Sequence, residues 1–347
     1  MYVGDLSTGD QTVEGTYQLC LKSKLRMLEA SFNMRKWSSN SKELIEKIKA
    51  SGYNQEVKCS DELKKLQEDD GTYTRATLGS NHEVNEEREH KILGITWNHD
   101  TDELSVDLSH IVKSSADLLV TKRTVLKVIA RAYDPLGWIS PILISMKLLF
   151  RKICQTKEDW DTELSPNLKE CYEQWMTGLQ KVSNFRIPRC YFNIDDPEPI
   201  SLQLHGFSDA SSYAYAAAVH MRIEQQAGAR SVLVASKTRV APLAGETIPR
   251  LELLGTVILA RLMKRVADAL SRSLEVDKLR CWVDSTAMLY WIIGEKRQWK
   301  QFLQNRIMEI RSLVPPSCWC YCPTNANPAD LPSGEMKPSD LATSDKW

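Results

Sequence analysis

No apolar stretch in this sequence approaches the roughly 18 residues that a membrane-spanning helix needs, so no spanning helix is expected. Nor is there an excess of either charge: 45 Lys and Arg face 45 Asp and Glu. Any contact with a polyanion must therefore use local basic patches rather than net charge. The nine cysteines include no C-x-x-C pair, which removes the usual zinc and redox spacing. The closest group is Cys318, Cys320 and Cys322, whose alternate spacing predicts three thiols on one face of a strand. No neighbouring His completes a zinc site there, so these residues read as buried free thiols in a reducing, intracellular compartment. Met1 opens directly on a strand-like segment, without the basic and apolar leader of a secretion signal.

What is present is ordinary globular material. At 347 residues, 42% hydrophobic and 26% charged, the chain can hold two or three domains, each with a real core. Val13, Tyr17, Leu21, Leu25 and Leu28 recur at helical spacing, and Asn40 and Ser41 offer caps for a second helix through Ile45 and Ile48. From Gln55 to His90 the chain is polar and reads as an insertion or long loop. HKILGITWN (90–98) reads as a strand, with ELSVDL (103–108) as its hairpin partner. From Thr121 the pattern is strongly helical, broken at Asp134-Pro135-Leu136-Gly137. A further helix carries Leu168, Cys171, Trp175 and Leu179. RIPRCYFNIDDPEPI then reads as an extended linker, with a domain boundary near 186–200.

The last block alternates strands and helices. SLQLHGFSD, YAYAAAVHM and SVLVASK read as consecutive strands, and Thr247 with Pro249 starts a long helix to about Ser271. LRCWVD is a fourth strand, helices follow from about 285 and 299, and CWCYCP is a fifth strand. This order predicts a mixed five-stranded sheet flanked by helices.

Four acids fall at the ends of these elements. Asp209 closes the first strand and Asp284 the fourth. If those strands are parallel neighbours, both acids project from one sheet edge, where α/β proteins place their sites. Glu252 sits near the start of the long helix inside the apolar sequence LELLG, and Asp330 follows Asn-Pro-Ala near the end. A buried Glu there is costly unless something cationic meets it. Four carboxylates from four elements suit a two-metal phosphodiester site, because hard cations take oxygen ligands. Any one of them alone would read as a solvated cap or turn residue, and Glu252 as a first-turn acid favoured by the helix dipole.

The segments GFSDASSYAYAAAV, SKTRVAPLAGETIPRLELLGTVILARL, CWVDSTAMLYWI and NPADL closely resemble the ribonuclease H region of Pao/BEL-type LTR retrotransposon polyproteins. Upstream, FNMRKWSSNS, KILGITW and KRTVLKVIARAYDPLGWISPILISMKLLF are similar to the reverse-transcriptase palm remainder and thumb of those elements. The resemblance implies a partial palm over 1–115, a helical thumb over 116–190, a ribonuclease-H-like domain over 200–335 and a tail over 336–347. It implies that Asp209, Glu252, Asp284 and Asp330 bind two Mg²⁺ or Mn²⁺ ions, with an RNA–DNA hybrid as partner and no small-molecule cofactor. It also implies a cytoplasmic or virus-like-particle location. No D-[ST]-G motif of an aspartic peptidase occurs.

Two departures from the family pattern stand out. The palm hairpin reads Tyr-x-Asp-Asp in the family, whereas here it is Tyr2, Val3, Gly4 and Asp5, so one of two adjacent acids is missing. A single remaining acid cannot hold two metals, and polymerase activity is not expected. After NPAD the family runs through a small residue to Ser-Arg-Gly; here Leu331, Pro332, Ser333, Gly334 and Glu335 lack the Arg. Pro332 is expected to end the helix that orients Asp330.

Lys237, Arg239 and Arg250 lie near the acids and read either as phosphate contacts or as solvated charge. Trp97 and Trp138 are candidates to touch a duplex, though core positions suit them as well. Ser208, Ser211, Ser285 and Thr286 are near enough to supply hydroxyl donors to a hybrid. The alternative to a nuclease is a decayed, catalytically inert retroelement remnant with at most nucleic-acid binding.

Overall fold

The computed structural model describes residues 6–10, 12–32, 34, 37–51, 89–92, 95–115, 118–181, 184–192, 199–294, 299–334, 341, 344 and 346–347. The degenerate hairpin Tyr2, Val3, Gly4 and Asp5 and the 55–88 stretch lie outside them. The chain divides into two compact units, Met1–Ser105 with Arg186–Arg189, and Val106–Phe185 with Cys190–Trp347.

In the first unit, helix α1 (Val13–Glu29) begins where Thr12 accepts the N–H of Gly15, and α2 (Lys42–Ala50) where Ser41 accepts that of Leu44. Strands β1 (Glu89–Ile92), β2 (Ile95–Asn98), β3 (Glu103–Asp107) and β4 (Asn184–Pro188) form a sheet in that order. The segment read as one strand over 90–98 is a hairpin instead, with Ile92 opposite Ile95. β3 is the expected partner of β2. The start of the segment read as a linker supplies β4, which ends at Pro188 because proline cannot donate to the ladder. Trp97 donates through Nε1 to Asp102 at 2.9 Å, and Arg189 makes a bidentate pair with the same carboxylate at 2.6 and 2.7 Å. The indole of Trp97 is thus committed within the unit.

The second unit carries helices α3 (Ser109–Lys113), α4 (Lys122–Arg131), α5 (Ser140–Gln155) and α6 (Pro166–Lys181). Its strands are β5 (Ser201–Ala210), β6 (Ala214–Gln225), β7 (Gly228–Val240), β8 (Lys278–Val283) and β9 (Trp319–Tyr321). The sheet order is β7-β6-β5-β8-β9, with β5, β6 and β7 antiparallel and β5, β8 and β9 parallel. This is the mixed five-stranded sheet that the element order predicts.

Helix α7 (Ile248–Leu270) covers one face, burying Leu253, Val257, Leu259 and Met263 against Leu204, Val219 and Met221. A Cβ at Gly206 of β5 would meet Leu259 Cδ1 at 2.5 Å, and one at Gly255 would meet the Asp209 carbonyl at 3.1 Å. Both glycines let the helix lie close to the strand. Helices α8 (Thr286–Ile293), α9 (Gln301–Leu313) and the single turn α10 (Asp330–Ser333) complete the unit. β9 is shorter than expected. Cys318 closes a 3₁₀ turn before it and Cys322 follows it, so the three thiols do not share a strand.

The helical segment and the sheet belong to one compact unit. Gly137, at φ +77°, lies so close to β7 that a Cβ would stand 2.1 Å from the Ser236 carbonyl. Ser236 N–H donates to Leu136 O at 2.7 Å, and Trp138 Nε1 to Val234 O at 3.3 Å. Trp138 is buried, a core residue rather than a surface for a duplex.

Candidate functional site

β5 and β8 pair in parallel with Ser208 opposite Val283. Asp209 and Asp284 are the next residues of each strand, so backbone register alone brings them to the same end of the sheet. Glu252 lies on α7, whose start is set by Thr247 as N-cap and Pro249 in the first turn. Asp330 opens α10. Pro332 does not cut this turn short; it occupies the first turn, where no intrahelical N–H is needed, and Gly334 follows as the cap.

The charges of these groups act on one another. Burial, and then the negative charges of Asp284 and Asp330, push the Asp209 carboxyl up to about 6. The Ser333 hydroxyl and the Ala210 N–H oppose that shift by hydrogen bonding to it. Glu252 is likewise pushed up, by burial and by Asp284, against a hydrogen bond from Ser285. Glu252 and Asp209 are thus both coupled to Asp284, and Asp209 also to Asp330.

Several hydroxyls proposed as substrate donors build the site instead. Ser208 is buried, and its carbonyl accepts the Asn327 side-chain amide at 3.0 Å. Ser211 donates to Ser333 O at 2.8 Å and accepts the Tyr213 and Ala214 N–H groups. Ser285 caps α8 and supports Glu252. Thr286 is exposed at the start of α8.

Two residues that sequence reasoning missed hold the Asp330 turn in place. Asn327 is fully buried; besides Ser208 it binds the Ala329 N–H, the Asx turn that an Asn-Pro pair signals. Ser333 bridges from that turn to Asp209. Nothing local to Ser333 marks that role, because its partner stands 124 residues away.

Among the basic candidates, Lys237 and Arg239 are exposed on the edge strand β7. Arg239 pairs across to Tyr215, beside the Ala216 that faces Asp209. Arg250 is engaged already, by Glu246 and by the Phe302 ring 4.2 Å away.

Among the described residues no three His, Cys, Asp or Glu side chains converge closely enough to hold a metal ion as they stand. The donor set nevertheless fits a hard divalent cation in kind: all four groups offer oxygen, and a cation would relieve the repulsion that Asp284 exerts on both Asp209 and Glu252.

Residues 121–285, just under half of the chain, match the family described as Pao retrotransposon-like RNaseH-like domain. The match begins in the helical segment and ends just beyond β8, so it straddles helices and sheet together. No curated protein matches. Similar solved structures include the N-terminal RNase H domain of rv2228c from Mycobacterium tuberculosis, at 13% identity and TM-score 0.29, covering 42% of this chain and 100% of that one. LC11-RNase H1 in complex with RNA/DNA hybrid is similar at 15% identity and TM-score 0.28, covering 42% and 100%. The foamy viral protease-reverse transcriptase in complex with RNA/DNA hybrid is similar at 14% identity and TM-score 0.37, covering 68% of this chain and 29% of that one. The chain carries an RNase H-like domain of retroelement type.

Proposed function

We propose that this chain is a fragment of a Pao/BEL-type retrotransposon Pol polyprotein whose second unit cleaves the RNA strand of RNA–DNA hybrids. The observation that carries this reading is the parallel register of β5 and β8, which brings Asp209 and Asp284 to one end of the sheet, with Glu252 beside Asp284 and Asp330 beside Asp209. Mg²⁺ or Mn²⁺ bound there would activate a water and stabilise the leaving oxygen. The four carboxylates would hold the ions. Ser333 and Ser285 orient Asp209 and Glu252 through their hydroxyls. Lys237 and Arg239, on the edge strand, supply positive charge for the nucleic-acid backbone.

The first unit we read as the remainder of a polymerase palm that no longer extends primers. Gly4 stands where the hairpin would carry the first of two adjacent acids, so Asp5 alone offers a metal ligand there.

The competing reading is a folded but inert remnant that retains nucleic-acid binding. It is favoured by the absence of a converged ligand set among the described residues. One assay separates the two: cleavage of a labelled hybrid by the full chain with Mg²⁺ or Mn²⁺, with EDTA, and by Asp209→Asn. The nuclease reading expects cleavage that EDTA abolishes and Asp209→Asn reduces more than about 100-fold, since even partners one shell removed from a metal cost 10–100-fold. Hybrid bound without cleavage by the parent would establish the inert reading.

A further inference from the structure

The seam between α5 and β7 holds polar groups that the protein itself leaves unused. α5 lies along the edge strand: the Ser140 hydroxyl meets that of Ser236 at 2.5 Å, Ile144 and Leu148 pack with Ala214 and Val240, and Arg151 Nη2 donates to Pro242 O at 3.2 Å. Thr238 stands between Ser236 and Val240 and shares their face of the strand. Its Oγ1 is buried without a hydrogen-bond partner, and so is Arg151 Nε.

Lys147 lies one turn before Arg151 and is half-buried. Burial pushes its ammonium pKa down and the neighbouring Lys237 pushes it further, while Asp134 opposes them. Asp134, whose oxygens accept the N–H groups of Trp138 and Ile139 at 2.9 Å, offsets part of the Lys147 charge and leaves Lys237 and Arg151 to the seam. The half-buried Lys147 and the exposed Lys237 thus lie near a guanidinium nitrogen and a hydroxyl that are buried without partners, which costs free energy. An anion with several acceptor oxygens would satisfy them together.

The register places the seam relative to the acids. Asp209 faces Ala216 across the sheet, and Ala216 faces Thr238. The seam thus lies two strands, about 10 Å, from the carboxylate end of β5. A strand passing the acids would reach it within a few nucleotides.

We infer that this seam binds a backbone phosphate of the nucleic-acid strand that runs past the carboxylates. Lys147, Arg151 and Thr238 form the floor of the site and Lys237 its mouth. The long stems of Lys147 and Arg151 rotate to admit the phosphate. These contacts position the strand without reading its sequence. The inference rests on the nuclease reading above.

The test measures binding of the full chain to a fluorescent RNA–DNA hybrid across a range of KCl, in EDTA so that nothing is cleaved. Lys147→Gln/Arg151→Gln should bind about ten-fold more weakly at low salt, and its log–log salt dependence should be shallower by about one to two. Lys237→Gln, at an exposed position, should lose part of the same slope and serves if the double variant does not fold. Lys264→Gln on α7, paired with Asp268, should change neither quantity. A parent that binds hybrid while both seam variants keep its slope would overturn this inference alone. A parent that binds no hybrid would overturn the nuclease reading and this inference with it. A rise in Tm with inorganic phosphate, lost in the double variant while hybrid affinity is unchanged, would assign the seam to free phosphate and overturn the strand assignment.

Discussion

The two units of the chain use apolar residues differently. In the first, α1 buries none of its residues; Leu25 and Leu28 are 58% and 50% exposed, and Phe32 just beyond it is 63% exposed. In the second, α7 buries ten residues, with Leu251, Leu259, Ala260 and Met263 fully inside. Both helices have apolar residues at helical spacing. Spacing therefore specifies that a helix has a core-facing stripe, but only a surface for it to meet turns the stripe into stability. The carboxylates belong to the unit where that surface exists, and the close approach of α7 to β5 sets Glu252 near Asp284.

The sharpest contrast is a pair of leucines. Leu259→Ala should cost about 2–5 kcal/mol in global unfolding, because it empties a filled site between α7 and β5. Leu25→Ala on α1 should change stability by no more than about 0.5 kcal/mol. Denaturant melts of the two variants check this, and comparable losses would erase the distinction between the units. Amide exchange gives the same comparison without mutation, with α1 exchanging faster than α7.

Gly137→Ala probes the joint between helices and sheet. The left-handed φ and the contact with Ser236 predict a loss of about 1–3 kcal/mol. If the joint holds the unit together, circular dichroism at the helices and tryptophan fluorescence near the sheet should still melt at one temperature, lower than in the parent.

Asp209 carries an electrostatic penalty in the folded state. Its pKa is raised from 3.8 to about 6, so the folded state holds the proton more tightly than the unfolded chain. Its stabilising effect is full below about pH 4 and is lost as pH rises through about 6. Without divalent cation, Asp209→Asn should therefore be more stable than the parent by about 1–3 kcal/mol at pH 7, and the gap should close below about pH 4. Urea melts at both pH values test the sign. A variant equally or less stable at pH 7 would mean that the carboxylates do not burden the fold.

The smallest effect concerns Ser333. Ser333→Ala removes a hydrogen bond that favours the Asp209 carboxylate. The Asp209 pKa should rise further, by on the order of one unit, and the acidic limb of the cleavage profile should move to higher pH with it. An unmoved limb, with cleavage otherwise intact, would show that Ser333 does not orient the acid.

Much of the second unit was legible in the residues. Thr247 and Pro249 announce the start of α7, and the observed helix runs from Ile248 to Leu270. The order of elements predicts a mixed five-stranded sheet, and the ends of two strands predict where Asp209 and Asp284 fall. These features are local: caps, prolines and alternation act over a few residues, so sequence carries them directly. The hairpin within 90–98 was less legible, because an apolar run looks alike whether it stays straight or folds back on itself.

Tertiary structure alone decided the rest. The sequence by itself determined which four carboxylates end which elements. That Ser333 would reach Asp209, that Asn327 would tie its turn to Ser208, and that Gly137 would press against Ser236 depended on contacts between residues roughly a hundred positions apart. The same holds for Lys147 and Arg151, two charges on a helix that lies beside β7 although α6, β5 and β6 separate the two in sequence. Side-chain roles of this kind follow from packing, where one hydroxyl finds its partner only because two distant backbones have been brought within hydrogen-bonding distance.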